Sequence, residues 1–234
     1  MRTQMQTVTQ AESALNSHLN QTFNYMAAGV GLSGVVAYFT INTPALLAIA
    51  AGGGFIWMIG LLILAFTLQS IVFKLQPAAG LAVFAGYSAF MGFAFSPLVA
   101  QYTGSSVASA FGVAALMFAG TAAYGYFTKR SLAGIGTFLV MGLWGLLAVA
   151  LGTMVAGMFG VQVGMMQTVI NLIAVPLFAG LTAYEVNNIR ETFAQYGRDE
   201  LLRSRLAILQ ATSLYVSFIN MFLSLLQLLG NRQE

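Results

Sequence analysis

From Phe23 onward the chain runs in long apolar stretches, separated by short clusters of polar or charged residues. No charged side chain falls between Glu12 and Lys74, Lys74 and Lys129, Arg130 and Glu185, or Arg205 and Arg232. A helix needs about 20 consecutive apolar residues to cross a bilayer. The first interval holds two such lengths after a polar leader, the next two hold two each, and the last holds one. The pattern predicts an all-α membrane protein of seven transmembrane helices, at 24–41, 46–73, 79–100, 106–127, 133–154, 163–185 and 207–229. Turn residues punctuate the intervals at Asn42-Thr43-Pro44, at Gln101 to Ser105 and at Gly157 to Gly164. Because the apolar runs are continuous rather than alternating, a β-barrel is excluded. The expected order is a polar cytoplasmic tail at 1–22, a seven-span domain at 23–230 and a short external tail at 231–234.

Composition excludes the soluble alternatives. Of 234 residues, 59% are hydrophobic and 6% charged, where soluble domains carry roughly 25% charged residues. The basic residues are unevenly placed. Arg2, Lys74, Lys129, Arg130, Arg190, Arg198, Arg203 and Arg205 flank one side of the spans, and Arg232 the other. The positive-inside rule then puts the N-terminus in the cytoplasm and the C-terminus outside a bacterial inner membrane. The net charge of +3 forms no patch fit for nucleic acid.

Candidate chemistry is sparse. Cysteine is absent and the one histidine, His18, lies in the N-terminal tail. That removes a thiolate nucleophile, a cysteine metal site and an intramembrane catalytic histidine. HExxH is missing, and the seventh span has no lysine for a retinal Schiff base. Nothing supports an enzyme, and no small-molecule cofactor is implied. Gly29-Val30-Gly31-Leu32-Ser33-Gly34 spells GxGxxG, but it sits inside a span with no strand before it, so it is no nucleotide site. Glycines Gly112, Gly120, Gly142, Gly145 and Gly152 are expected to let helices approach closely.

Polar residues inside spans carry the functional expectation. Glu185 is the one acidic residue that can lie within a span, near the end of the sixth. A carboxylate there faces the bundle interior, pairs with a cation or takes a proton. Lys74 and Arg190 are its candidate counter-charges, and it is a weak calcium ligand candidate. Gln167, Asn171 and Glu185 share a helix face, and Pro176 between them removes a helical hydrogen bond and invites a kink. On the seventh span Gln210, Ser213, Ser217, Asn220, Ser224 and Gln227 form a polar stripe at helical spacing. Such a stripe belongs against other helices, which makes this helix the buried one, with Leu214 facing outward and the first helix peripheral. The ion-path candidates are therefore Glu185, Ser217, Asn220, Ser213 and Asn171. The segment Asn187 to Leu206 is expected to be a charged loop.

Two blocks resemble a known family. Gly180-Leu181-Thr182-Ala183-Tyr184-Glu185 with Ile189-Arg190, and Ser213-Leu214-Tyr215-Val216-Ser217-Phe218-Ile219-Asn220 with Leu229-Gly230-Asn231-Arg232, are similar to the Bax inhibitor-1 family of transmembrane Bax-inhibitor-motif proteins. Tyr124 to Leu132 resembles its bacterial branch, the YccA-like and YbhL-like proteins. The resemblance implies a bundle in which six helices surround a central seventh. It also implies a pH-sensitive calcium leak governed by paired carboxylates on the sixth and seventh helices. Glu185 stands at the first of those positions, and Ser217 stands where the leak members carry Asp. The combination of Glu185 with Ser217 resembles the YccA-like proteins, associated with modulating a membrane-anchored AAA protease. For such a partner the N-terminal tail and the Arg-rich loop are the expected contact surfaces.

Overall fold

The computed structural model describes residues 2–196 and 199–233, with side chains from residue 12 onward. Its helices are α1 (Arg2–Ile41), α2 (Pro44–Gly52), α3 (Gly54–Ile71), α4 (Pro77–Val99), α5 (Gly104–Phe127), α6 (Ala133–Met158), α7 (Gly164–Tyr196) and α8 (Glu200–Leu229). All but α2 are long and apolar enough to span a membrane, so seven spans stand. Pro44 and Pro77 open α2 and α4 at the first helical turn, where a missing N–H costs nothing.

The second span is broken rather than continuous. Gly52, Gly53 and Gly54 follow one another, and α2 gives way to α3 at Gly53. The Trp57 ring lies where a side chain on Gly53 would go. Its indole N–H donates to the Ala50 carbonyl at 3.1 Å, satisfying an acceptor near the break. Pro176, by contrast, leaves α7 helical through its whole length.

α8 is the buried axis. It packs on α7, α1, α5 and α4, while α3 lies chiefly on α4 and α6 on α7. Four helices rather than six therefore surround it, with α3 and α6 outside that ring. The expectation that α1 is peripheral is overturned, because α1 fills the groove between α4 and α8. Leu214 is fully buried, not outward; α8 is enclosed on nearly every side, so its apolar faces meet helices too.

Close helix approach falls on unexpected glycines. Among the expected five, a side chain would meet a neighbour only at Gly142, against Leu177; Gly112, Gly120, Gly145 and Gly152 face open space. The tight contacts on neighbouring backbone are Gly92 on Ser33 and Gly125 on the Ala183 carbonyl, and Gly29 and Gly136 lie as close to the Phe84 and Tyr184 rings. Glycine in a span that faces lipid is tolerated, and sequence alone does not separate it from one that faces a helix.

Three helices overrun the membrane on one side. α1, with 40 residues, is about 60 Å long at 1.5 Å per residue, twice a hydrocarbon core of about 30 Å. α7 and α8, with 33 and 30 residues, also exceed it. Most of the expected tail thus continues as helix, and the expected loop at Asn187 to Leu206 is mostly helix. The α8 start is coded by Asp199, whose carboxylate accepts from the Leu202 N–H at 3.0 Å, with Glu200 next in the first turn. The overhang lies at the face that carries Lys74, Lys129 and Arg130, called here the basic face.

Candidate functional site

Where α7 and α8 leave the apolar layer together, their polar positions meet. Ser217 Oγ donates to Glu185 Oε2 at 3.0 Å. Ser217 is buried and Glu185 half-buried. Glu185 reaches this position because Leu181, Thr182, Ala183, Val186 and Ile189 around it are all buried, which fixes the rotation of α7. One turn along α8, Ser213 opens onto the same space. A cavity of about 260 Å³ is lined there by Glu185, Asn188 and Thr192 of α7, Gln210 and Ser213 of α8, and Gln69 of α3. Asn188 and Phe73 at its rim are exposed, so the chamber meets solvent at the basic face.

The overhanging part of α1 packs behind Gln210, one of the residues that line the chamber. His18 is 2% exposed, and its Nε2 donates to Gln210 Oε1 at 2.7 Å, the direction an amide oxygen requires. Its ring packs on Phe193 of α7 with centroids 5.3 Å apart. Nδ1 is buried without a partner. One side chain from the expected tail therefore ties α1 to both site helices. Sequence reasoning missed it, although the signal was present: Leu15, Leu19, Thr22 and Met26 continue the helical spacing of the first span backward.

Neither expected counter-charge serves Glu185. Arg190 turns away, donating to the carbonyls of Tyr126 at 2.6 Å and Thr128 at 3.0 Å, with its guanidinium 5.7 Å from the Tyr126 ring centre. Those carbonyls are at the α5 C-terminus, where the helix dipole favours a cation. Asn187 helps at the same turn, accepting from the Leu132 N–H at 3.0 Å. Lys74 is exposed, just past α3. The Ile189-Arg190 block thus fastens the α5–α6 turn. Ion pairing lost to geometry: carbonyls lay nearer to Arg190 than the carboxylate did.

The remaining expected residues divide. Ser213 joins the chamber. Asn220 donates back to the Val216 carbonyl at 2.8 Å, and Gln227 to the Leu223 carbonyl at 3.2 Å. Asn171 is buried and accepts from Gln167 at 3.4 Å, but lies about 21 Å along α7 from Glu185. The stripe on α8 is thus open to water at the basic end and self-satisfied toward the C-terminal face. Tyr215, on the other side of α8, was also missed. Its hydroxyl meets Ser33 Oγ at 2.6 Å, and Ser33 donates to the Ser88 carbonyl at 2.7 Å, locking α1, α4 and α8. Among the described residues no three His, Asp or Glu side chains converge. The chamber offers one carboxylate beside neutral hydroxyl and amide groups.

Comparison with known proteins adds the kinship. A family model described as "Inhibitor of apoptosis-promoting Bax1" matches residues 15–234. The inner membrane protein YbhL of Escherichia coli is 32% identical over 97% of this chain and 96% of its own length. YrjE of Lactococcus lactis is 35% identical over 94% and 93%. A protein of Borreliella burgdorferi is 33% identical over 94% of each chain.

Proposed function

This chain belongs to the Bax inhibitor-1 family, and we propose that it serves ion homeostasis in a bacterial inner membrane as a pH-sensitive leak for calcium or protons, with Glu185 as its working group. The observation that carries this reading is the Glu185–Ser217 contact at the floor of a chamber that opens on the basic face. A carboxylate at membrane depth with no counter-charge in contact is costly unless it exchanges protons or cations. Calcium prefers oxygen ligands, and the chamber supplies them from Glu185, Ser213, Ser217, Asn188 and Gln210. The hydrogen-bonded stripe beyond Ser217 is the closed part of the path, and opening requires α7 and α8 to separate there. With the N-terminus in the cytoplasm, the chamber is the cytoplasmic vestibule.

The alternative is a regulator that does not transport but binds a membrane-anchored AAA protease. It draws on Ser217, which leaves the site with one carboxylate rather than two. It also draws on the helical overhang of α1, α7 and α8, a ready docking surface.

Calcium flux in proteoliposomes between about pH 5 and 8 separates the two. Glu185→Gln is expected to remove the flux of wild type. Ser217→Asp is expected to increase it and steepen its pH dependence, because two carboxylates in contact repel unless a proton or cation lies between them. If all three proteins match empty liposomes, the leak is refuted and the regulator stands.

A further inference from the structure

A larger cavity lies at the opposite end from Glu185. α1 and α5 both pack on α8, and near the basic face they also touch each other through Phe23 and Phe118. Toward the C-terminal face a groove of about 510 Å³ lies between them, with Phe95 of α4 and Phe222 of α8 in its lining. That volume falls in the range of about 300–1,000 Å³ usual for ligand sites. Its α1 wall runs from Val30 to Asn42, about 18 Å at 1.5 Å per residue. Half of a hydrocarbon core of about 30 Å is nearly the same length.

The groove is apolar along its length and polar at its mouth, where Asn42, Tyr102 and Gln233 line it. Tyr102 is 3% exposed, and its hydroxyl is buried without a partner. An unpaired buried hydroxyl is costly, and the residue that carries this one lines the groove. Residues 231–233 are held beside the backbone of Tyr102: Thr103 N–H donates to the Asn231 carbonyl at 3.2 Å, and the Gln233 side chain donates to the Tyr102 carbonyl at 3.0 Å. This places the exposed Arg232 with its guanidinium 6.0 Å from the Tyr102 ring centre. An apolar slot for an acyl chain, a donor for an ester carbonyl and a cation for a phosphate complement the groups of a phospholipid read from tail to head.

We infer that the groove between α1 and α5 binds one membrane phospholipid from the leaflet at the C-terminal face. Its acyl chain lies along the groove, an ester carbonyl accepts from the Tyr102 hydroxyl, and its phosphate sits beside Arg232. The site is independent of Glu185 and of the leak reading, being built from the other half of the bundle.

The test is native mass spectrometry of the full chain, delipidated in mild detergent and titrated separately with phosphatidylglycerol and with palmitate. Wild type is expected to retain one phosphatidylglycerol per chain. Gly34→Leu fills the groove from a position where a side chain meets nothing within 4 Å, and is expected to abolish that species. Tyr102→Phe, nearly isosteric, is expected to weaken it by about three- to tenfold, and keeps the test decisive should Gly34→Leu fold poorly. Binding of phosphatidylglycerol unchanged in Tyr102→Phe overturns the inference. So does retention of palmitate as firmly as of phosphatidylglycerol, since the phosphate would then contribute nothing.

Discussion

α6 and α8 are both long spanning helices, yet 6% of the apolar window of α6 is buried inside the protein against 61% for α8. The more hydrophobic of the two is the one left outside. α6 presents Phe138, Met141 and Trp144 outward, whereas α8 is enclosed on both its apolar and its polar faces. Leu214, Met221 and Leu226 are fully buried, Ser217 and Ser224 of the stripe are buried, and Gln210, Ser213, Asn220 and Gln227 are half-buried. Lipid is as apolar as any core, so hydrophobicity does not draw a helix into the bundle. What draws α8 inward is the cost of leaving its polar groups in hydrocarbon. In this protein the helix that carries the polar stripe is the one enclosed, and the site lies where that stripe meets Glu185 of α7.

The contrast is broken most forcefully by truncating one large side chain on each helix. Leu214→Ala on α8 is expected to cost about 2–5 kcal/mol, read from unfolding in mixed micelles. Phe138→Ala on α6, at a residue 73% exposed, is expected to fall within about 0.5 kcal/mol. Equal losses would mean that α8 is no more central than α6. A smaller effect sharpens the same contrast along α5. Gly125→Ala places a methyl group on the Ala183 carbonyl of α7 and is expected to cost about 1–3 kcal/mol. Gly120→Ala, facing open space, is expected to be neutral in the same unfolding assay.

The seven spans were legible because charge-free intervals and the length of an apolar helix leave few alternatives. The Glu185–Ser217 meeting was half legible: the stripe marked α8 as an enclosed helix, while the pairing of Ser217 with Glu185 came from the family resemblance and not from spacing or periodicity. Arg190 was misread because a cation five residues from a carboxylate looks like its partner. The carbonyls at the end of α5 are distant in sequence, and only the folded chain brings them near. His18 was obscured by the polar residues around it, since α1 continues beyond the membrane on apolar residues spaced too sparsely to read as a span. Of the five favoured glycines only Gly142 meets a neighbouring helix, because glycine content reports nothing about which helix face is covered.

The central claim is that the Glu185 chamber is filled with water from the basic face and closed toward the C-terminal face. The chain contains no cysteine, so single thiols can be introduced without background. Ser213→Cys lines the chamber, and Ser224→Cys, on the same stripe, is buried beyond its floor. A membrane-impermeant thiol reagent is applied to vesicles on the side of Lys74. Rapid labelling of Ser213→Cys and none of Ser224→Cys is expected. An inert Ser213→Cys, or equal labelling of both, would contradict it.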